Sequence, residues 1–268
     1  MGYYLPKPVR PIRTETPIRR RAVETYAVNR KITDIFNSQM WCDRHAFIVG
    51  GGPSLAEFDF SQLKDKPATV AINQAYESFP CAKIWYGMDV KYIEWLRHGA
   101  MKSHSVYKDM AYAHWKNMPA KKCFACPSGF FEFEEDVYLM RRLNVMEVSR
   151  DLNRGIFVGN NSGTGAIMLA VALGATVINL LGFDMKIDTS VLGKTKTHFH
   201  KGYPAEVNAD TINSRMEHYK AELCKLAPIL HGAGIEVYNL NPDSALKCFE
   251  FKNFKEALTY KKEKVIHA

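Results

Sequence analysis

The run Ala46-Phe47-Ile48-Val49 passes without interruption into Gly50-Gly51-Gly52-Pro53-Ser54. Four consecutive apolar residues read as a strand buried on both faces, and glycines followed by proline end it in a tight turn. A strand hidden on both sides belongs to a parallel sheet covered by helices, because only that architecture buries both of its faces. The pattern recurs along the chain. Residues 68–72 form a second apolar run ending at Asn73, and Ile84-Trp85-Tyr86 ends in Gly87-Met88-Asp89. Val90, Ile93 and Leu96 then repeat at helical spacing, with Gly99 as a stop. Asn160-Asn161-Ser162-Gly163-Thr164-Gly165 opens the apolar run 166–174, and residues 176–181 form another strand ending in Gly182-Phe183-Asp184. A helix over about 207–230 would bury Met216, Tyr219, Leu223 and Leu226, with Pro228 perturbing its end. A last strand over 236–240 turns at Asn241-Pro242-Asp243-Ser244 into a C-terminal helical region. Within 101–154 only Lys122-Cys123-Phe124-Ala125-Cys126 stands out as a strand.

This alternation predicts an α/β, Rossmann-like fold: a mostly parallel sheet with helices on both faces and a lid segment. Residues 45–268 read as one nucleotide-sugar-binding catalytic domain, with a polar lid at about 185–204, preceded by a basic N-terminal arm over 1–44. Ligands of such sheets lie beyond the carboxyl ends of the strands. The polar strand ends are therefore expected to converge on one cleft: the 50–54 turn, Asn73, Asp89, Asn161 to Gly163, Asp184 and Asn239. Ser54 has Glu57 three residues on, the spacing of a capping box opening a brief helix.

A formal charge of +8 gives the surface a field that attracts polyanions. Lys7, Arg10, Arg13, Arg19, Arg20 and Arg21 crowd a proline-rich stretch whose single acidic residue is Glu15, either a solvated terminus or an arm that contacts phosphates. The longest apolar run, 166–175, is about half of the roughly 18–20 residues a membrane span needs. Residues 1–6 lack the apolar core of a secretory signal, so a cytoplasmic protein is expected. In that compartment the six cysteines stay reduced, most of them in the core; Cys123 and Cys126 have CxxC spacing but no second pair nearby to complete a zinc site.

Three groups of residues carry the expected chemistry. Gly50, Gly51, Gly52, Pro53 and Ser54 would let backbone N–H groups approach a phosphate or ribose, although similar turns occur with no ligand. The turn lacks the spacing of a dinucleotide site and the lysine of a P-loop. Asn161, Ser162 and Gly163 open an apolar helix at a second such place, where Ser162 or Thr164 would also serve as a simple cap. His198 and His200 lie in the lid with Lys194, Lys196 and Lys201, a grouping suited to proton removal and to stabilising an anionic leaving group, or alternatively an ordinary solvated loop.

The order Ile48-Val49-Gly50-Gly51-Gly52-Pro53-Ser54-Leu55, Asn73-Gln74, Asn161-Ser162-Gly163 before 168–174, then Ile178-Asn179-Leu180-Leu181-Gly182-Phe183-Asp184 and Tyr238-Asn239-Leu240-Asn241-Pro242-Asp243-Ser244 resembles bacterial lipooligosaccharide sialyltransferases and the wider sialyltransferase-like superfamily. The resemblance spans about 46–249. It implies glycosyl transfer without a metal or other cofactor, from a nucleotide-sugar donor held by the Gly-Pro-Ser turn, Asn73 and the Asn161 to Gly163 turn, with Asp89, Asp184, Lys194 and Lys196 also facing the donor. His200, or His198, takes the place of the family's base. The tyrosines that bind the leaving phosphate in the family are missing from Met185-Lys186-Ile187-Asp188-Thr189-Ser190, where Lys186, Lys194 or Lys196 would substitute electrostatically.

The acceptor implied is a hydroxyl, on a glycan or on a hydroxylated DNA base, and a homo-oligomer is as compatible with the sequence as a monomer. A pterin diphosphokinase-like family shares the Gly-Gly-Gly-Pro-Ser-Leu turn and implies ATP and magnesium, with Asp89 and Asp184 as carboxylates. A nucleic-acid-binding protein is the third reading, carried by the arm. If the arm contacts DNA phosphates, binding measured by fluorescence anisotropy weakens steeply with salt, and deletion of the residues before Val28 reduces both affinity and salt slope.

Overall fold

The computed structural model describes residues 30–99, 111–126, 133, 135–186 and 209–260, with side chains of the last stretch from residue 214. Its frame is one sheet of ten strands, every pairing of which is parallel. In chain order the elements are β1 (Arg30–Lys31), β2 (His45–Val49), β3 (Thr69–Ile72), β4 (Ile84–Gly87), α1 (Val90–Arg97), α2 (Ala111–Asn117), β5 (Lys121–Cys126) and β6 (Val137–Leu143). They continue with β7 (Ile156–Phe157), α3 (Ser162–Ala172), β8 (Val177–Leu181), α4 (Ala209–Gly232), β9 (Glu236–Asn239), β10 (Glu250–Phe251) and α5 (Phe254–Thr259). The spatial order is β1-β6-β5-β4-β3-β2-β8-β9-β10, with β7 beside β6.

Alternating side chains divide the core into two halves, one on each face of the sheet. Ala46 and Ile48 of β2 join Ile178 and Leu180 of β8 under α3 and the Leu223, Leu226 and Leu230 stripe of α4. Phe47 and Val49 face the other way, with Trp85, Phe124, Ile93 and Leu96 of α1, Trp115 of α2 and Ala257 of α5. Helices therefore cover both faces, and the fold is α/β and Rossmann-like. Helix α3 is buried on every side from Thr164 to Ala172, which is why its sequence is apolar all round rather than striped. Among the described residues no helix is long and apolar enough to cross a membrane.

Several boundaries differ from the sequence reading. Arg30–Lys31 pair with β6, and Ile32, Phe36 and Trp41 enter the core, so the part of the expected arm from Arg30 to Trp41 is tied to the sheet and its core. Pro228 lies inside α4, which runs on to Gly232. Met216 and Tyr219 are half-buried, and the fully buried stripe is shifted one turn towards the C-terminus, to Leu223, Leu226 and Leu230. Ser54 sits within a 3-10 turn, Pro53–Leu55, whose cap position is Gly52, so no Ser54–Glu57 capping box forms. Cys123 and Cys126, three apart on a strand, face opposite sides of the sheet in separate cores, a placement that serves packing and gives no shared ligand geometry. Cys248 lies beside Cys224, and burial together with that neighbour pushes its thiol up to about 12.

At the far side of the sheet Glu135 is buried and gripped by three donors: Arg97 Nε at 3.0 Å, Arg97 Nη2 at 2.7 Å and the Tyr112 hydroxyl at 2.7 Å. Burial alone would raise its carboxyl, and the hydrogen bonds from Arg97 and Tyr112 outweigh it, holding the group below its usual range. A depressed carboxylate stabilises the fold above its unfolded pKa of about 4.3 and loses that contribution as pH falls through the folded value. Glu135→Gln is expected to cost about 1–3 kcal/mol in urea denaturation at neutral pH, since it removes the charge from the hydrogen bonds that Glu135 accepts from Arg97 and Tyr112. The loss should shrink as pH falls below the unfolded value of about 4.3 and disappear below the lower folded one.

Candidate functional site

β2 lies at the middle of the sheet, and the chain leaves it in two directions. β3 to β6 are added on one side, and β8 to β10 on the other. The connection after β2 packs Leu55 and Leu63 on one face, whereas the chain after β8 returns through α4 on the opposite face. Loops that part to opposite faces open a crevice at the carboxyl ends of two neighbouring strands, the usual ligand position in such sheets. The residues around that crevice come from the tips of β2, β3, β4 and β8 and the first turn of α3.

The tips of β2 and β8 are stitched together. Gly50 N–H donates to the Leu181 carbonyl and Gly52 N–H to the Gly182 carbonyl, both at 2.8 Å, prolonging the pairing of the two strands. A Cβ on Gly52 would stand 2.5 Å from the Gly182 oxygen and 2.6 Å from the Asp184 carboxyl carbon, so these glycines are required by the close approach of two backbones. Asp184, 3% exposed, accepts from Ser54 N–H at 2.7 Å, from the Ser54 hydroxyl at 2.6 Å and from Asn241 Nδ2 at 2.8 Å. The N–H groups of Gly50, Gly52 and Ser54, read from the sequence as phosphate donors, thus have partners within the chain: the Leu181 and Gly182 carbonyls for the two glycines and the Asp184 carboxylate for Ser54. Asp184 therefore braces the loop after β8 against the turns after β2 and β9. Ser244 and Asn239 bind the Phe183 carbonyl, at 2.6 and 3.5 Å, and fix the same loop from the β9 side.

The predicted bends do meet. Asn73 Nδ2 reaches Ser162 Oγ at 3.4 Å across the gap between β3 and α3. The Phe183 ring lies against both Gly50 and Gly163: ideal Cβ atoms there would come within 3.3 and 2.7 Å of it. Asn73 holds a left-handed backbone with φ of 47°, and Met185, past the end of β8, does the same at 48°. Asparagine tolerates this region better than most residues, yet it remains strained.

Asn161 caps α3, its Oδ1 accepting from Thr164 N–H at 2.8 Å. Its Nδ2 donates to Glu222 of α4 at 2.7 Å, and Glu222 also accepts from Thr164 Oγ1 at 2.8 Å and Asn160 N–H at 2.8 Å. The negative charge at this helix N-terminus is supplied by the protein itself. Asp89 caps α1 through Lys91 N–H at 2.9 Å and is exposed at the tip of β4. Arg142 donates Nε to the Ala125 carbonyl at 2.8 Å and Nη2 to the Met88 carbonyl, placing a guanidinium across the tips of β5 and β4. Burial raises the Tyr219 hydroxyl, which also feels the charges of Arg215, Asp89 and Glu222.

Glu222, Arg142, Tyr86 and Phe183 were not among the residues expected at the site. The spacing of Arg215, Tyr219 and Glu222, at i, i+4 and i+7 on one helix face, was the available signal for α4. His198, His200, Lys194 and Lys196 lie outside the described residues, as does the lid beyond Lys186. No protein-family model, curated protein or solved structure matches the chain.

Gly52→Ala should destabilise the protein by about 1–3 kcal/mol in chemical denaturation, because its Cβ meets backbone that cannot swing aside. Asp184→Ala should cost at least as much, since it leaves the Ser54 and Asn241 donors unpaired.

Proposed function

We propose that the chain is a glycosyltransferase that moves a sugar from a nucleotide-activated donor to an acceptor hydroxyl. The observation that carries this reading is the meeting of Asn73 with Ser162, and of Gly50 and Gly163 on one aromatic ring, at the crevice where the sheet changes direction. Open α/β sheets bind nucleotides at that point. The motif order from Gly50 to Ser244, similar to that of sialyltransferase-like enzymes, supports the same reading. The donor's contacts fall to Asn73, Ser162 and Asp89, with the charges of Arg142 and Arg215 nearby, since the amides of Gly50, Gly52 and Ser54 serve the β8 loop.

The chemistry follows from the residues assigned to the lid. The acceptor hydroxyl gives its proton to His200, or to His198, its oxygen attacks the anomeric carbon from the face opposite the nucleotide, and the carbon–phosphate oxygen bond breaks. The leaving phosphate carries the departing electron pair, and Lys194 and Lys196 offset its charge. Configuration inverts at the sugar, with no metal in the step. The magnesium-dependent diphosphokinase alternative is less well supported: it asks Asp184 for a metal ligand, and that carboxylate is buried and already accepts three hydrogen bonds from Ser54 and Asn241. A cytoplasmic setting, with a glycan or a hydroxylated DNA base as acceptor, suits six unpaired cysteines and the net charge of +8.

A thermal-shift panel tests the donor class: one or more CMP-, UDP- or GDP-sugars should raise the melting temperature, and stabilisation by ATP alone, dependent on magnesium, would favour the diphosphokinase. With the donor so found, His200→Ala and His198→Ala separate the base from its neighbour. One of them should lower kcat by about 10²- to 10⁴-fold, and transfer surviving both within a few-fold would remove histidine from the mechanism.

A further inference from the structure

Tyr86, near the end of β4, is completely buried, and among the described residues its hydroxyl has no hydrogen-bond partner. It lies against Gly165 in the first turn of the eleven-residue α3; any Cβ at position 165 would overlap the Tyr86 oxygen. Asn73, which follows the residue paired with Tyr86 across β3 and β4, presents a second buried atom without a partner, Oδ1. Its Nδ2 touches Ser162, and Ser162 and Gly165 are three apart on one face of α3. Two idle polar atoms thus belong to side chains that touch the same turn of the same helix from adjacent strands. Leaving such groups unsatisfied costs about 1–3 kcal/mol each, an expense that persists in native proteins chiefly where a ligand or water completes them.

The two atoms specify what that ligand group must be. Asn73 Oδ1 only accepts, so its partner must bear a proton, and the Tyr86 hydroxyl needs an acceptor to receive its own. A phosphate dianion or a carboxylate satisfies Tyr86 but cannot donate to Asn73. A hydroxyl does both. Charge on the α4 side points the same way, because the anionic position at this helix end is held by Glu222, with Asn160, Asn161 and Thr164 as its donors, whereas Arg142 brings positive charge to the Tyr86 side. A second anion in the first turn of α3 would meet like charge in a poorly solvated place. The Asn73–Ser162 contact, a long side-chain hydrogen bond at 3.4 Å, closes the gap between β3 and this turn.

We propose that the first turn of α3, closed by Asn73 and Tyr86, receives an uncharged, hydroxyl-bearing group, the sugar of the donor, and that Glu222 excludes acidic sugars. The inference rests on the nucleotide-sugar reading above and deepens it: the donor belongs to the neutral sugar nucleotides, and Tyr86 is a residue that determines its binding.

The experiment measures melting temperature and calorimetric affinity for UDP, UDP-glucose and UDP-glucuronic acid, with GDP-mannose and CMP-sialic acid in parallel. A neutral sugar nucleotide should bind more tightly than its free nucleotide, and the acidic sugars should not. Tyr86→Phe should leave the melting temperature of the ligand-free protein unchanged or raised, because an idle hydroxyl is lost. The same variant should weaken the neutral sugar nucleotide by about 2- to 12-fold while leaving the free nucleotide alone. Glu222→Gln, which keeps the shape and removes the charge, should narrow the gap between UDP-glucose and UDP-glucuronic acid. A ligand-free Tyr86→Phe protein that melts several degrees lower would show that the hydroxyl already has a partner, and overturn the proposal. Equal affinity for acidic and neutral sugars, or a sugar nucleotide indifferent to Tyr86→Phe, would overturn it too while leaving nucleotide binding intact. Failure of the wild type to bind any nucleotide or nucleotide-sugar would instead remove the glycosyltransferase reading beneath it.

Discussion

A single buried carboxylate, that of Asp184, ties together the three strand ends on which the site depends. It takes two hydrogen bonds from Ser54 after β2 and one from Asn241 after β9, and its own main-chain carbonyl accepts from Ala245 at 2.8 Å. Burying a carboxylate is costly unless charge-assisted hydrogen bonds offset the lost hydration, and three donors at 2.6–2.8 Å do so. The bridge fixes how closely the loops after β2 and β8 approach. That approach excludes side chains at positions 50 and 52 and presses the Phe183 ring against Gly163 at the start of α3. The crevice has its shape because the carboxylate holds its floor shut.

Glu222 does at the next wall what Asp184 does at the floor. Backbone N–H groups at a tight turn and at a helix N-terminus attract anions, and in both places the anion is a side chain from a distant part of the sequence. The consequence is electrostatic. With Asp89 at the tip of β4, the crevice is ringed by three carboxylates although the whole chain carries +8. Positive charge at the crevice comes from guanidinium groups placed by side chains, Arg142 among them, rather than from main-chain amides.

Much of the fold could be read from the sequence because β2, β3, β4, β8 and β9 are apolar on both faces and end in glycine or a polar residue. β6 escaped notice because Arg141 and Arg142 break its apolar run; Arg142 belongs there all the same, since its guanidinium satisfies carbonyls at neighbouring strand tips. β1 consists of two basic residues, and its pairing with β6 is a long-range event to which local pattern is blind. Pro228 misled for a different reason: the stripe of Leu223, Leu226 and Leu230 buries enough apolar surface to carry the helix through a residue that locally opposes it. At the site, the convergence of Asn73, Ser162 and Gly163 was legible from their positions at strand and helix ends. The roles of the glycines and of Asp184 were not, because a turn that cradles a phosphate and one that cradles a carboxylate require the same residues.

Where local rules are broken is itself informative. Sequence, packing and hydrogen bonding agree through most of the sheet, as a folded chain requires. Exceptions occur elsewhere, at the left-handed Asp43 and the idle Trp41 Nε1, and around the crevice they gather: Asn73 and Met185 adopt left-handed conformations, and Asn73 Oδ1 and the Tyr86 hydroxyl are buried without partners among the described residues. A left-handed asparagine would be relieved by glycine, and an idle tyrosine hydroxyl by phenylalanine, each a small change that would ease the empty protein. Both costs fall on β3 and β4, the two strands that face the first turn of α3. Strain and unsatisfied polarity are maintained only where the surroundings enforce them, and their coincidence at one helix end, beside a negative charge already in place, marks that end as the part of the crevice shaped for something other than the fold.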